Sequence, residues 1–258
     1  MRIIAGPCQH ESLEQSLEIA KECKRVCDKH KIEYIFKASF DKANRTSIDG
    51  VRGQGLVKTM SDFRELKSKF KDLKIITDVH NQNEILKIAA YYDGAVDVLQ
   101  IPAFLCRQTD LIKAASKTGK IVNIKKGQFL APWDVEGILS KTTDATEVWI
   151  TERGTSFGYN TLVTDFTGLD YMLNNIDADI VFDVTHSVQK PGGLGGSSGG
   201  NRAYVAGLAR AGAALGIKNF FVETHADPDN APSDGPNMVP LDKFEELVDD
   251  IVRYSYTG

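Results

Sequence analysis

Residues 34–47 read Tyr-Ile-Phe-Lys-Ala-Ser-Phe-Asp-Lys-Ala-Asn-Arg-Thr-Ser, an apolar run that passes directly into a segment of cations and hydrogen-bonding side chains. The apolar run is typical of a buried strand, and the polar segment is typical of the loop that follows it. Similar short runs recur along the chain, separated by amphipathic segments with helical periodicity. The expected strands are Arg2–Pro7, Glu33–Ala38, Lys74–Val79, Val96–Ile101, Ile121–Lys125, Glu147–Thr151, Asp179–Val184 and Asn219–Glu223. The expected helices are Ser12–His30, Leu56–Phe70, Asn83–Tyr92, Thr109–Thr118, Trp133–Leu139, Asp165–Leu173, Asn201–Leu215 and Leu241–Tyr254.

This regular alternation decides the fold class. Each helix returns the chain in the same direction, so the strands are expected to be parallel. Eight such units in 258 residues favour an α/β fold, a single (β/α)8 TIM barrel that spans residues 1–258 as one catalytic domain. An open doubly wound sheet is the alternative, but no Gly-x-Gly-x-x-Gly motif follows the first strand to support it. The Gly- and Ser-rich segment Pro191–Gly200 is expected to be a mobile loop after the seventh strand.

Composition and charge exclude several classes of function. The formal net charge is -4 and the pI is about 5.8, so the chain has no global basic field for nucleic acid or a membrane surface. The opening apolar run is too short for a signal peptide, and no later run approaches a membrane span. A cytoplasmic protein is therefore expected, and its four cysteines are expected to stay reduced at this chain length.

Polar residues cluster where the expected strands end, which is the face on which TIM barrels build their active sites. Four cations, Lys37, Lys42, Lys125 and Arg153, follow strands two, five and six. Their convergence would suit a compact phosphorylated carboxylate such as phosphoenolpyruvate, because buried cations are costly without an anion. The alternative is salt bridging to carboxylates such as Asp41, Asp78 or Glu152.

A second group of strand-end residues suits a divalent metal. Cys8, His186, Glu223 and Asp234 come from strands one, seven and eight and from the loop after strand eight. Strands one and eight are neighbours in a closed barrel, so these four side chains can meet. One thiolate, one imidazole and two carboxylates suit Zn, Fe or Mn. The alternative is that Cys8 is a small buried apolar residue and that His186 bonds to the backbone.

Several long motifs resemble one enzyme family in the same order along the chain. They are Lys-Ala-Ser-Phe-Asp-Lys-Ala-Asn-Arg-Thr-Ser (37–47), Gln-Ile-Pro-Ala-Phe-Leu-Cys-Arg-Gln-Thr-Asp (100–110), Asn-Ile-Lys-Lys-Gly-Gln-Phe-Leu-Ala-Pro-Trp (123–133), Thr-Glu-Arg-Gly-Thr-Ser-Phe-Gly-Tyr (151–159) and Phe-Asp-Val-Thr-His-Ser-Val-Gln (182–189). Over nearly its whole length the chain resembles the 3-deoxy-D-manno-octulosonate 8-phosphate synthases. This resemblance implies a transferase that condenses phosphoenolpyruvate with D-arabinose 5-phosphate and water, releases phosphate, and serves lipopolysaccharide biosynthesis.

The resemblance also implies roles for individual residues. Gly-Pro-Cys at 6–8 and Ser-Asp-Gly at 233–235 resemble the metal-dependent class, whose ligands would be the four residues proposed above. Phosphoenolpyruvate would be held by the four cations, and the catalytic residues would be Lys42, Asp78 and His186. The remaining substrate contacts would be Asn44, Arg45, Thr46 and Gln100, with Arg107 supplied by an adjacent subunit of a homotetramer.

Two other functions remain as alternatives. The related synthase of the aromatic pathway condenses phosphoenolpyruvate with erythrose 4-phosphate and shares the Gly-Pro-Cys strand. The Ala-Asn-Arg-Thr-Ser segment at 43–47 favours the five-carbon sugar over that four-carbon one. A barrel that only binds sugar phosphates is the third possibility, and the complete set of metal ligands and cations argues against it.

Overall fold

The computed structural model describes residues 1–43, 48, 50–193 and 198–255. Eight parallel strands alternate with eight helices in these residues. The strands are β1 (Arg2–Gly6), β2 (Glu33–Lys37), β3 (Lys74–Asp78), β4 (Val98–Ile101), β5 (Ile121–Lys125), β6 (Val148–Glu152), β7 (Asp179–Asp183) and β8 (Asn219–His225). The helices are α1 (Leu13–Lys29), α2 (Leu56–Lys69), α3 (Gln82–Tyr91), α4 (Thr109–Ser116), α5 (Glu136–Leu139), α6 (Phe166–Asn175), α7 (Val205–Leu215) and α8 (Phe244–Tyr254).

Each strand pairs with the next, and β8 pairs in parallel with β1, where Gly6 lies opposite Glu223. This closure confirms the TIM barrel and excludes the open sheet. It also brings the residues that follow β1 and β8 next to each other, as the predicted metal site requires.

The core has two layers, because alternate residues of each strand point inward and outward. The outer layer lies between the strands and the helices. The inner layer fills the barrel with one apolar side chain from most strands, among them Ile76, Trp149 and Phe221. Below it, the guanidinium of Arg2 lies 4.2 Å from the centroid of the Trp149 ring and pairs with Glu33. The interior of the barrel is therefore filled toward its amino end, so a cavity that opens into the barrel is expected at its carboxyl end.

The predicted helices Asn201–Leu215 and Leu241–Tyr254 each begin with a 3-10 turn, so α7 starts at Val205 and α8 at Phe244. Three other elements also differ from the sequence-based expectations. β8 extends two residues beyond the predicted Glu223, because Thr224 and His225 pair with the short strand Val239–Pro240. The predicted helix Trp133–Leu139 is a 3-10 turn (Pro132–Val135) followed by the four-residue α5. The expected loop Pro191–Gly200 is bounded by strand pairing, since Lys190 lies opposite Gly199 in a short antiparallel ribbon.

None of the helices in the described part of the chain combines the length and the apolar composition needed to cross a bilayer.

Candidate active site

A cavity opens at the carboxyl end of the barrel, where the predicted site residues were expected to meet. Its volume is about 380 Å³, which falls within the range that small-molecule sites occupy. The predicted residues that line it are Lys37, Lys42, Asp78, Gln100, Lys125, Arg153, His186 and Asp234. Residues far apart in sequence thus share one cavity because each follows a parallel strand.

Lys37, the last residue of β2, contacts two predicted metal ligands, Cys8 and Glu223, and also lies near Asp78. Its Nζ donates to Glu223 Oε1 and to the Cys8 carbonyl oxygen, both at 3.1 Å, and lies 3.6 Å from Asp78 Oδ2. Burial alone would lower the pKa of Lys37, but the attraction of Glu223 and Asp78 outweighs burial and raises it. Lys37 therefore keeps its positive charge at the wall of the cavity.

Lys125, the last residue of β5, is held differently. Its Nζ pairs with the Asp183 carboxylate and lies 3.2 Å from the centroid of the Phe221 ring. Burial lowers the pKa of Lys125 to about 8, despite the opposing attraction of Asp183. Among the predicted anion-binding cations, Lys125 is thus the one whose charge is sensitive to pH just above neutrality.

Arg153 and Lys42 complete the set of four cations. Arg153 Nη2 donates to Gln189 Oε1 at 2.7 Å, whereas its buried Nη1 has no hydrogen-bond partner among the described residues. Lys42 Nζ donates to Ser39 Oγ at 2.9 Å. A buried guanidinium N–H that lines a cavity without a partner is a donor well suited to an anionic oxygen.

The alternative of salt bridging is correct for some of these cations. Lys37 does contact Asp78, although its closer carboxylate is Glu223. The other two carboxylates named in that alternative have different partners, since Glu152 pairs with Lys126 and Asp41 pairs with Arg52. Lys37 and Lys125 are therefore paired with carboxylates, whereas Arg153 Nη1 has no hydrogen-bond partner among the described residues.

A chain of hydrogen bonds links the ends of five adjacent strands on one side of the cavity. Thr151 Oγ1 donates to Asn123 Oδ1 at 2.6 Å, and Asn123 Nδ2 donates to Gln100 Oε1 at 2.8 Å. Gln100 Nε2 then donates to Asp78 Oδ1 at 2.6 Å, and Ser39 Oγ donates to the second oxygen of the same carboxylate. Since both ends of its amide are occupied by protein groups, Gln100 positions Asp78 in addition to lining the cavity.

Three of the four predicted metal ligands meet beside the cavity. Cys8 Sγ lies 3.2 Å from Asp234 Oδ2, and donor atoms of Cys8, Glu223 and Asp234 all lie within 4.8 Å of one another. His186 joins this group through Glu223, since its Nε2 lies 3.7 Å from Glu223 Oε2. That carboxylate oxygen is buried and has no hydrogen-bond partner among the described residues. A bound cation would satisfy it.

The local electrostatics also distinguish the four donors. Burial and the neighbouring Glu223 raise the pKa of the Cys8 thiol. Burial alone would raise the pKa of Asp234, but His186 and Lys42 hold it below its usual range. Asp234 adopts a left-handed conformation with φ of 53°, which is uncommon outside glycine and often marks a functional position.

Four predicted substrate contacts are not placed in this cavity. Arg107 lines a separate cavity, with Asp134 and Lys141 among its neighbours. Asn44, Arg45 and Thr46 lie outside the described residues. The prediction that Arg107 serves an adjacent subunit is consistent with its position away from the central cavity of its own chain.

Three residues that hold the site together are not among the predicted site residues. Asp183 contacts both Lys125 and His186, Gln189 orients Arg153 and donates to Asp234 Oδ1 at 2.8 Å, and Ser39 bridges Lys42 to Asp78. All three lie within the motifs that carry the resemblance, and Asp183 lies one residue before the end of a predicted strand. Their positions were therefore visible in the sequence, whereas their partners were not.

The profile of the DAHP synthetase I family matches residues 1–254. The chain belongs to this family. A 2-dehydro-3-deoxyphosphooctonate aldolase of Brucella anthropi is 54% identical to it, over 98% of this chain and 90% of that protein. Proteins of the same name from Brucella abortus strain S19 and Brucella ovis are 52% and 51% identical over the same shares. This name denotes 3-deoxy-D-manno-octulosonate 8-phosphate synthase, so the resemblance stated from the sequence motifs is confirmed.

Proposed function

We propose that this chain condenses phosphoenolpyruvate with D-arabinose 5-phosphate and water to give 3-deoxy-D-manno-octulosonate 8-phosphate and inorganic phosphate. One observation carries the proposal. Four cations, Lys37, Lys42, Lys125 and Arg153, line one cavity beside a cluster of side chains that could hold a metal ion. The names of relatives that share about half of its residues give the same reaction.

In this reaction, phosphoenolpyruvate would lie against the cations. Arg153 Nη1 offers a buried donor without a partner among the described residues, and Lys37 and Lys125 would add charge from neighbouring positions. Charge-assisted hydrogen bonds of this kind suit a phosphate and a carboxylate on one small molecule. The arrangement would orient the enol carbon toward the second substrate and lower the entropic cost of their encounter.

Bond formation would begin when the enol carbon attacks the aldehyde carbon of the sugar. The aldehyde oxygen gains negative charge in that step, and Lys42 at the cavity wall would neutralise it. Water then adds to the cationic carbon that bears the phosphate. Asp78 would accept a hydrogen bond from this water or from a sugar hydroxyl, since Gln100 and Ser39 hold its carboxylate in place. The tetrahedral intermediate finally expels phosphate.

Cys8, His186, Glu223 and Asp234 would fit a divalent metal such as Zn, Fe or Mn. The donor atoms of Cys8, Glu223 and Asp234 converge, His186 Nε2 lies 3.7 Å from Glu223 Oε2, and that oxygen is buried without a hydrogen-bond partner among the described residues. A metal bound there would supply Lewis-acid polarisation of an oxygen or acidification of water. His186 would thus contribute to catalysis by holding the metal rather than by transferring a proton itself.

The proposal extends to a cytoplasmic homotetramer in lipopolysaccharide biosynthesis, and family resemblance is the main support. One feature of the surface agrees with assembly. The exposed apolar side chains Phe104, Phe129 and Trp133 lie in the loops that follow β4 and β5, the first of which also carries Arg107. Large exposed apolar groups of this kind often mark a subunit interface.

The deciding experiment measures phosphate release from phosphoenolpyruvate with either arabinose 5-phosphate or erythrose 4-phosphate, before and after chelation and metal add-back. We expect release with arabinose 5-phosphate, lost on chelation and restored by a divalent metal. Release with erythrose 4-phosphate alone would assign the chain to the aromatic-pathway reaction. Full activity after thorough chelation would contradict the metal requirement, and no release with either sugar would favour a binding protein.

A further inference from the structure

Asp183, the last residue of β7, is fully buried and contacts both Lys125, a predicted anion-binding cation, and His186, a predicted metal ligand. Its Oδ1 accepts hydrogen bonds from three donors: the Thr185 backbone N–H at 3.1 Å, the Thr185 hydroxyl at 2.9 Å and the His186 backbone N–H at 2.8 Å. These contacts fix the orientation of the carboxylate. Its other oxygen, Oδ2, faces Lys125 and His186, both of which line the cavity.

Oδ2 lies between an anion-binding cation and a proposed metal ligand. Lys125 Nζ pairs with it, and His186 Nδ1 lies 2.7 Å from it. His186 Nδ1 is buried and has no hydrogen-bond partner among the described residues, so this carboxylate oxygen is the acceptor nearest at hand for its proton. On its far side the same ring presents Nε2 to Glu223.

We propose that Asp183 is a positioning residue that keeps the proton of His186 on Nδ1 and holds Lys125 at the anion site. The inference rests on the proposed function, in which His186 binds a metal and Lys125 binds phosphoenolpyruvate. A carboxylate beside Nδ1 leaves Nε2 unprotonated and directed at the other ligands. Through its two partners on Oδ2, Asp183 couples the metal half of the site to the anion half.

The substitution Asp183→Asn separates this role from simple packing. Three donors surround Oδ1, so the carbonyl oxygen of the amide has to take that place. The amide NH2 then faces Lys125 and His186 Nδ1, and both of these are donors. The ring can satisfy the new N–H only by accepting at Nδ1, which moves its proton to Nε2 and removes the lone pair that a metal needs.

The test measures zinc affinity by competition with a coloured chelator, together with the absorption spectrum of the cobalt-loaded protein. We expect Asp183→Asn to weaken zinc binding about 10- to 100-fold, which is the usual effect of losing the carboxylate partner of a histidine ligand. The cobalt spectrum should keep its thiolate charge-transfer band, since Cys8 is unaffected, while the ligand-field bands change. Calorimetry should also show weaker binding of phosphoenolpyruvate.

Asp62→Asn provides a matched control. Asp62 is another buried carboxylate next to a histidine, with its Oδ2 at 2.9 Å from His10 Nε2, but it lies outside the cavity. Zinc and phosphoenolpyruvate affinities should stay at the wild-type level in this variant. Weakening equal to that of Asp183→Asn would overturn the proposal, because it would show that loss of any buried carboxylate disturbs the site.

Asp183→Glu tests the role of the charge and keeps the proposal testable if the Asn variant does not fold. The longer carboxylate should still accept from Nδ1, so its zinc affinity should lie between wild type and the Asn variant. Wild-type zinc affinity in Asp183→Asn, or a loss of about 10-fold or more in Asp183→Glu, would overturn the inference. Zinc affinity is measured without turnover, so these outcomes are distinct from failure of the proposed reaction, which would appear as no phosphate release from the wild-type protein.

Discussion

The pH dependence of phosphoenolpyruvate binding should report on Lys125. Burial lowers the pKa of this lysine to about 8, and the charged groups around it are Asp183, Lys37 and Glu223. A bound phosphate or carboxylate would favour the protonated form, so the pKa of Lys125 should rise in the complex. Below pH 8 the free enzyme already carries the charge. Above pH 8 it loses the charge, and binding then has to take up a proton.

The magnitude follows from the fraction of Lys125 that remains protonated. With a pKa of about 8, that fraction falls about tenfold between pH 7 and pH 9. If only the charged form binds well, KM for phosphoenolpyruvate should rise about tenfold over that interval, equivalent to about 1.4 kcal/mol. The KM for the sugar phosphate should change little, because its proposed contacts do not include Lys125.

The assay is phosphate release against phosphoenolpyruvate concentration at pH 7, 8 and 9, with saturating metal and sugar. Lys125→Arg is the matched variant, because a guanidinium keeps its charge throughout this range. Its KM should therefore be nearly independent of pH, whatever its value at pH 7. A constant wild-type KM between pH 7 and pH 9 would refute the argument, and so would an equal rise in the Arg variant, since another group would then be titrating.

Three further substitutions test how the fold supports the site. Gly6→Ala should lower the free energy of unfolding by about 3 kcal/mol, because a Cβ there would overlap the Lys37 carbonyl oxygen. A Cβ at Gly207 meets nothing within 4 Å, so Gly207→Ala should be neutral or stabilising. Urea denaturation compares the two variants. Lys126→Met should cost about 3–5 kcal/mol, because it leaves the buried Glu152 without the Nζ that lies 3.2 Å away, and adding Glu152→Gln should restore part of the loss. Gln100→Leu breaks two buried hydrogen bonds and should lower the free energy of unfolding by about 2–4 kcal/mol. It should also lower kcat, because Asp78 loses the amide that holds it. An unchanged kcat would show that Asp78 needs no support from Gln100.

The sequence predicted the barrel well because strand and helix patterns alternate regularly along the chain and the strands are apolar. The bounds of the strands agree with the structure to within two residues at nearly every end. The errors have two different causes: Pro132 starts a 3-10 turn in place of a helix, and β8 is lengthened by pairing with a strand that follows it. The second of these depends on a tertiary contact, which a periodic pattern does not encode.

For the site residues, the sequence predicted where the side chains lie but not which side chains they contact. Strand ends and motifs placed eight of the predicted residues around one cavity. Pairing could not be predicted in the same way, because it depends on which strands carry opposite charges at the same height in the closed barrel. Asp183 is the clearest example, since it lies near the end of a predicted strand but its contacts with Lys125 and His186 come from β5 and from the turn after β7.

These pairings explain how an acidic protein could hold an anion that carries both a phosphate and a carboxylate. Lys37 and Lys125 are buried, and each has a carboxylate partner, Glu223 and Asp183 respectively. Leaving either lysine unpaired would cost several kcal/mol, so the carboxylates keep the cations charged and in place before substrate arrives. Glu223 is also a proposed metal ligand, and a divalent cation there would offset its negative charge. The attraction of Lys37 for an incoming anion should then increase, so metal and phosphoenolpyruvate should each strengthen the binding of the other.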